Sequence, residues 1–211
     1  MDRQMYISYL KNALDENSQL KLIHGIKKAS NQWFGEGLLS FSLFLRDRVL
    51  CVYVEMVVHN PAFDWAIVVN TDVEPWPYLK GPRYSALMPD IFHDGVPVDP
   101  DSWRSGRTIE RRSGSLARLK PDMVASYVFY HYQAQEEKPE HFNKTYVIGL
   151  HGTWIFSYGE SPAVVSENKP LGKLATRQTP DNWHEVMDPH FDKWPNDVIW
   201  SPMQHLITLE R

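Results

Sequence analysis

The sequence predicts an α+β protein built from two successive units, each running β-α-β-β-α-β. Three observations carry that expectation. Residues 38–45 and 49–58 are almost continuously apolar or aromatic and read as strands, while segments such as 18–34 place apolar residues at helical spacing. The same succession of elements begins again after residue 122. Finally, Trp65 is followed eleven residues on by Trp76-Pro77, and Trp183 is followed eleven residues on by Trp194-Pro195, on and just beyond the second helix of each half.

Taken in order, residues 5–10 form the first strand. A helix over 18–34 follows, with Leu20, Ile23, Ile26 or Lys27, and Trp33 on one face, and it stops at Gly35 and Gly37. Strands 38–45 and 49–58 close a hairpin around the polar turn Arg46-Asp47-Arg48. Asn60-Pro61 opens a second helix, since asparagine caps well and proline is tolerated at the first helical position, and the helix continues over 62–70. Residues 87–92 supply the closing strand. This order is the ferredoxin-like split βαβ unit.

Residues 93–122 are rich in Pro, Gly, Ser and Arg without an apolar period, and read as a linker between a first unit, 1–92, and a second, 123–211. The linker's basic cluster (Arg104, Arg107, Arg111, Arg112, Arg118, Lys120) is read as a solvated connection rather than an anion contact, because no regular element places it. In the second unit the expected elements are a strand at 124–133, a short helix at 141–150, strands at 153–159 and 171–178, a helix at 181–191 and a last strand at 198–209. A ferredoxin-like sheet has one face bare of helices. Two such units packed sheet to sheet give an intrachain α+β barrel with a cavity between the sheets.

Composition narrows the function. The chain has 211 residues and a net charge of −4, so it is expected to bind neither nucleic acid nor a membrane surface, and its N-terminus lacks the apolar core of a signal peptide, which reads as cytoplasmic. Cys51 is the single cysteine, which excludes an intrachain disulfide and any multi-cysteine metal site. No phosphate-binding glycine loop is present. His184-Glu185 starts a zinc-protease string but residue 188 is Asp, and the spacings of His131, His141, His151 and His184 match no ligand pattern, so no metal is expected. Cys51 lies in an apolar strand, where a thiol is inert. What stands out is 8 Trp, 10 Tyr and 9 Phe, enough either to fill a core or to wall a small-molecule pocket. His24, at the margin of the first helix's apolar face, and Phe41, Tyr53, Trp65, Trp76 and Tyr78 are the candidates around the expected cavity.

Residues 40–92 resemble the L-rhamnose mutarotase family of ferredoxin-like sugar epimerases, as an apparent tandem pair. The resemblance rests on Phe41-Ser42-Leu43-Phe44-Leu45, Val54-Glu55, Thr71-Asp72-Val73 with Trp76, and Met88-Pro89. It implies that His24 matches the family's general acid, that Phe41, Tyr53, Trp65, Trp76 and Tyr78 contact the sugar, that no cofactor is needed, and that the chain is a monomer or homodimer. Leu20 and Phe41 stand where the family has tyrosines. The expected activity is cofactor-free interconversion of aldose anomers by acid–base ring opening, for which an imidazole titrating near neutrality is suited. The alternative is a small-ligand or haem-binding module, or a cofactor-free oxygenase, on the same fold without mutarotase activity.

Overall fold

The structure, a computed structural model, describes residues 1–60, 63–78, 81–104, 107–137, 142–165 and 172–211. Its elements are β1 (Asp2–Tyr9), α1 (Glu16–Gly35), β2 (Leu38–Arg46), β3 (Val49–Met56), β4 (Ala86–Met88), β5 (Asp90–His93), α2 (Pro100–Arg104), β6 (Arg111–Arg118), α3 (Val124–Glu137), β7 (Val147–His151), β8 (Trp154–Ser161), α4 (Trp183–Met187), β9 (Ser201–Pro202) and β10 (Gln204–Glu210). They form two antiparallel five-stranded sheets with helices, an α+β fold. The chain divides into two units, Met1–Met88 with Pro97–Arg107 and Met203–Arg211, and Pro89–Val96 with Thr108–Pro202.

Both units follow one scheme. The first sheet has the order β10-β2-β3-β1-β4 and the second β5-β7-β8-β6-β9. β1 pairs with β3 as β6 pairs with β8, α1 follows β1 as α3 follows β6, and a two-residue reversal joins each hairpin, β2–β3 and β7–β8, with Asp47 (φ 52°) in one and Gly152 (φ 59°) in the other taking the left-handed conformation. Leu10 bridges to Val73 as Leu119 bridges to Phe191, and Trp76 bridges to Arg83 as Trp194 bridges to Val198. Trp65 opens a 3-10 turn after β3, and Trp183 opens α4 after β8. The tryptophan spacing therefore marks equivalent places in the two units.

In the first unit, α1 is started by Asp15, whose side chain accepts from the Ser18 N–H at 2.7 Å, a cap of about 1 kcal/mol. Its buried stripe, Leu22, Ile26 and Trp33, covers Phe41, Leu43 and Leu45 of β2 and Leu50, Val52, Val54 and Met56 of β3. Those strand positions alternate, so they share one face. On the opposite face Tyr53 donates to Glu55 Oε1 at 2.7 Å, with Trp103 Nε1 donating to the same oxygen at 3.0 Å and Arg3 directly across the ladder. The second unit repeats this: Tyr158 donates to Glu160 Oε1 at 2.7 Å, and Arg112 lies across the ladder with Nε 3.9 Å from that oxygen. Both carboxylates are buried.

Several expectations are corrected here. Residues 111–118, assigned to the linker, form β6, which takes eight register pairs with β8 although only Gly114, Leu116 and Ala117 of it are buried. The linker also holds α2, and the second unit begins at Pro89 rather than at residue 123. The expected strand at 124–133 is α3; of the expected helix at 141–150, residues 142–146 form a turn that leads into β7, and residue 141 lies outside the described residues. The closing strand at 87–92 is two strands in different sheets, divided at Pro89, which has no N–H to give a ladder. No strand forms over 172–178, and residue 171 lies outside the described residues. The second helix of the first unit is a 3-10 turn, Trp65–Val69; Pro61 and Ala62 lie outside the described residues.

Tyr53→Phe and Tyr158→Phe each remove a donor from a buried carboxylate oxygen. Urea unfolding is expected to show about 1–3 kcal/mol lost in each variant, and a loss within error in both would show that the repeated pair does not stabilise the sheets.

Candidate functional site

Among the described residues the helix side of the second sheet is covered by α3, of 14 residues, and α4, of five. A cavity of about 480 Å³ opens there. Phe92 of β5 and Ile148 of β7 form its sheet wall, with Tyr146 just before β7. α3 contributes His131 and Ala134, one helical turn apart, and α4 contributes Trp183; Phe142 and Thr179 complete the wall. The segment bearing Phe142 is held by buried Asp94, whose carboxylate accepts the N–H groups of Phe142 (2.9 Å) and Asn143, while the Asp94 N–H donates to the Tyr146 carbonyl.

His131 is the polar group of chemical interest. It is 6 % exposed and stands on Tyr127 (ring centroids 4.0 Å), edge-on to Trp183 (5.0 Å) and Phe92 (5.6 Å). Nδ1 lies 2.9 Å from the Tyr127 carbonyl. A carbonyl only accepts, so Nδ1 carries the proton and Nε2 keeps its lone pair. Burial pushes the imidazole down to about 4; the Tyr127 hydrogen bond pulls back in part, and His190 pushes it down again. The ring is therefore neutral throughout the physiological range. Burial also raises the Tyr146 hydroxyl, against a hydrogen bond with Ser157.

Beside this cavity lies a second, more polar one of about 650 Å³ lined by Glu137, Arg177, Asp181 and Thr179, the last shared between the two. Glu137, the last residue of α3, fastens the segment 172–181 to the helix. Its carboxylate accepts from the Gln178 N–H (3.0 Å), the Thr179 N–H (2.8 Å), the Thr179 hydroxyl (2.6 Å) and the Thr176 hydroxyl. Burial would raise this carboxyl, but the hydroxyl and N–H donors outweigh it and hold it at about 2. Glu136 adds a bond to the Lys173 N–H. Among the described residues no group of three or more His, Cys, Asp or Glu is gathered to hold a metal ion, and no helix is long and apolar enough to cross a membrane.

The residues singled out in the sequence are spread through the first unit. His24 stands on the exposed side of α1, away from the stripe of Leu22, Ile26 and Trp33. Phe41 and Trp65 come together (6.0 Å) and, with Trp33 and Phe63, fill the helix-facing layer. Tyr53 is on the other face, bound to Glu55. Trp76 packs on Tyr9 (5.3 Å), and Tyr78 is exposed beneath the Arg83 guanidinium. The structure joins Phe41 to Trp65 but brings neither His24 nor Tyr78 to them.

The strand registers relate the two layers. Phe41 pairs with Val54 one step beyond the Ser42–Tyr53 pair, and the matching step beyond Val147–Tyr158 falls at Tyr146. Likewise Leu43 matches Ile148, Ile207 matches Phe92, and Trp65 matches Trp183. The sequence candidates Phe41 and Trp65 thus lie in the packed aromatic layer of the first unit, and their counterparts Tyr146 and Trp183 line the cavity of the second. The missed signal is Tyr127, His131 and Ala134 at helical spacing, hidden when 124–133 is read as a strand.

No family model and no curated protein matches the sequence. Among solved structures, similarity is found to a protein from Lactobacillus acidophilus NCFM described as a "putative monooxygenase", at 9 % identity over 100 % of this chain and 97 % of that one, TM-score 0.49. A protein of the same description from Fusobacterium nucleatum subsp. nucleatum is 10 % identical over 99 % and 94 %, TM-score 0.44. An anthrone oxidase-like protein is 12 % identical over 99 % and 94 %, TM-score 0.41. These are not sugar mutarotases. With His24 on the exposed side of α1, away from Phe41 and Trp65, the mutarotase resemblance and the isomerase reading that rested on it are corrected.

The buried neutral imidazole makes stability depend on pH. Above 6.5 neither folded nor unfolded chain protonates His131; between 6.5 and about 4 only the unfolded chain does, so stability falls as pH falls through that window. The stability at stake is about 3 kcal/mol. His131→Leu is expected to flatten the decline of the urea midpoint between pH 6.5 and 4 relative to wild type, and parallel profiles would refute a neutral buried His131.

Proposed function

We propose that the cavity of the second unit binds a small, flat, largely aromatic molecule and acts on it as a cofactor-free oxygenase, with His131 as the proton acceptor. One observation carries this: a buried imidazole whose Nδ1 is taken up by the Tyr127 carbonyl lines a cavity otherwise walled by aromatic and aliphatic side chains and Thr179. Trp183 and Phe92 offer ring faces and edges to a flat ligand. A ligand with an acidic C–H or O–H gives its proton to Nε2, and the electron pair stays on the ligand. The anion forming beside the ring raises the imidazole's basicity at the moment it is needed. Such an electron-rich anion is a reductant for dioxygen. The names of the similar structures serve to choose the first substrate to assay. With anthrone the balance is anthrone and dioxygen giving anthraquinone and water: two hydrogens leave the methylene carbon and one oxygen atom joins it.

The test is dioxygen uptake and quinone formation with anthrone, beside quenching of tryptophan fluorescence by the same compound. Wild type is expected to bind and turn over. His131→Ala is expected to lower the rate about 100-fold or more while retaining binding, and Trp183→Ala to weaken binding. Binding without dioxygen uptake in wild type would leave a binding module and remove the oxygenase. Activity that survives His131→Ala would remove the proposed base, and a Soret band in the purified protein would replace this reading with a haem-dependent one.

A further inference from the structure

We infer that Glu137 is the positioning residue of the aromatic cavity: its carboxylate holds segment 172–179 as a strap, and the strap sets the stretch of wall from Thr179 to Trp183. The inference rests on that cavity being a ligand site, as proposed above, and names what keeps the site in shape. Residues 172–178 are exposed, so apolar packing holds little of the strap. Hydrogen bonds hold it instead. Among the described residues, every hydrogen bond of 172–179 ends on Glu136 or Glu137. The Lys173 N–H donates to the Glu136 carboxylate (2.9 Å) and the Leu174 N–H to the Glu136 carbonyl (3.3 Å). The Glu137 carboxylate takes the Thr176 hydroxyl, the N–H groups of Gln178 and Thr179, and the Thr179 hydroxyl.

Two acids in the last turn of α3 stand at the negative end of the helix, an unfavourable place for them, and the donors of the strap answer their charge. Glutamine at 137 would keep the shape of the side chain but not its function. It has one acceptor oxygen, and its N–H2 would face N–H and O–H donors. At the near end of the strap, a Cβ on Gly172 would stand 1.7 Å from the Glu136 carbonyl oxygen, so any other residue there lifts the strap off the helix. At the far end Thr179 enters the wall of the aromatic cavity. Three residues, Pro180 among them, then lead to Trp183, whose ring is edge-on to His131 at 5.0 Å. A strap that lifts therefore carries part of the cavity wall with it.

Anthrone is titrated against tryptophan fluorescence under nitrogen, so that binding is read apart from turnover. Glu137→Gln and Gly172→Ala are each expected to bind it about tenfold more weakly, as for a strap fastened about a tenth of the time. Tyr158→Phe removes a buried hydrogen bond on the other face of the sheet and is expected to bind as wild type does, which separates lost positioning from lost stability. Trypsin reads the strap itself, at the bonds after Lys173 and Arg177. Cleavage there is expected to be faster in both strap variants, and slower in wild type once anthrone is bound, because coupling between the two is reciprocal. Anthrone affinity unchanged in Glu137→Gln and Gly172→Ala, an equal loss in Tyr158→Phe, or cleavage that anthrone does not slow in wild type overturns the inference and leaves the cavity a ligand site. Failure of anthrone to bind wild type overturns the ligand site and this inference with it.

Discussion

Cross-strand pairing sends alternate side chains of each sheet to the helix side, and that apolar layer must be covered by whatever helix the chain supplies. The two units share their strand order and their register, so the difference between them lies in the cover. In the first, 20 residues of α1 bring Trp33 onto Phe41, and Phe63 and Trp65 close the remaining space. In the second, beside a helix of 14 residues and the single turn of α4, the matching positions Tyr146 and Trp183 are walls of the cavity. The same register thus carries a packed aromatic layer in the first unit and the wall of a cavity in the second.

The opposite face of each sheet obeys a different constraint. A carboxylate enters such a place only with its hydrogen bonds met, and here the chain meets them in the same way twice, through a tyrosine two residues earlier on the same strand and an arginine across the ladder. Because residues two apart share a face, Tyr-x-Glu is the shortest strand pattern that can make this bond. The repetition ties the register of both hairpins to a polar requirement as well as to apolar burial, and a slip of one residue would send the carboxylate to the helix side.

The first unit was largely legible in the sequence because its local preferences agree with its fold. Phe41 to Leu45 and Val49 to Val54 are strand formers, and the charged turn between them is short. The second unit was less legible because its local preferences disagree. Tyr127, Val128, Phe129 and Tyr130 favour a strand, yet they lie in α3, where Pro121 opens a preceding 3-10 turn and packing of Tyr127 on Phe191 holds the helix down. Conversely Arg111 to Arg118 reads as polar loop, and it becomes a strand because β8 offers a full ladder. The site is hidden in the sequence for that reason: on a strand His131 and Ala134, three residues apart, face opposite ways, and only on α3 do they share a face.

The assignment of β10 to the first sheet has a consequence for how the chain comes to be folded. β2 lacks its outer neighbour until residues 204–210 are made, although β2 itself ends at Arg46. During synthesis the first unit therefore waits with an unpaired sheet edge while the whole second unit is produced, and its last ladder joins segments more than 150 residues apart in sequence. A proteolytic nick near Met203 would strip that edge again without touching the cavity. The first sheet is thus complete only once residues 204–210 have been made.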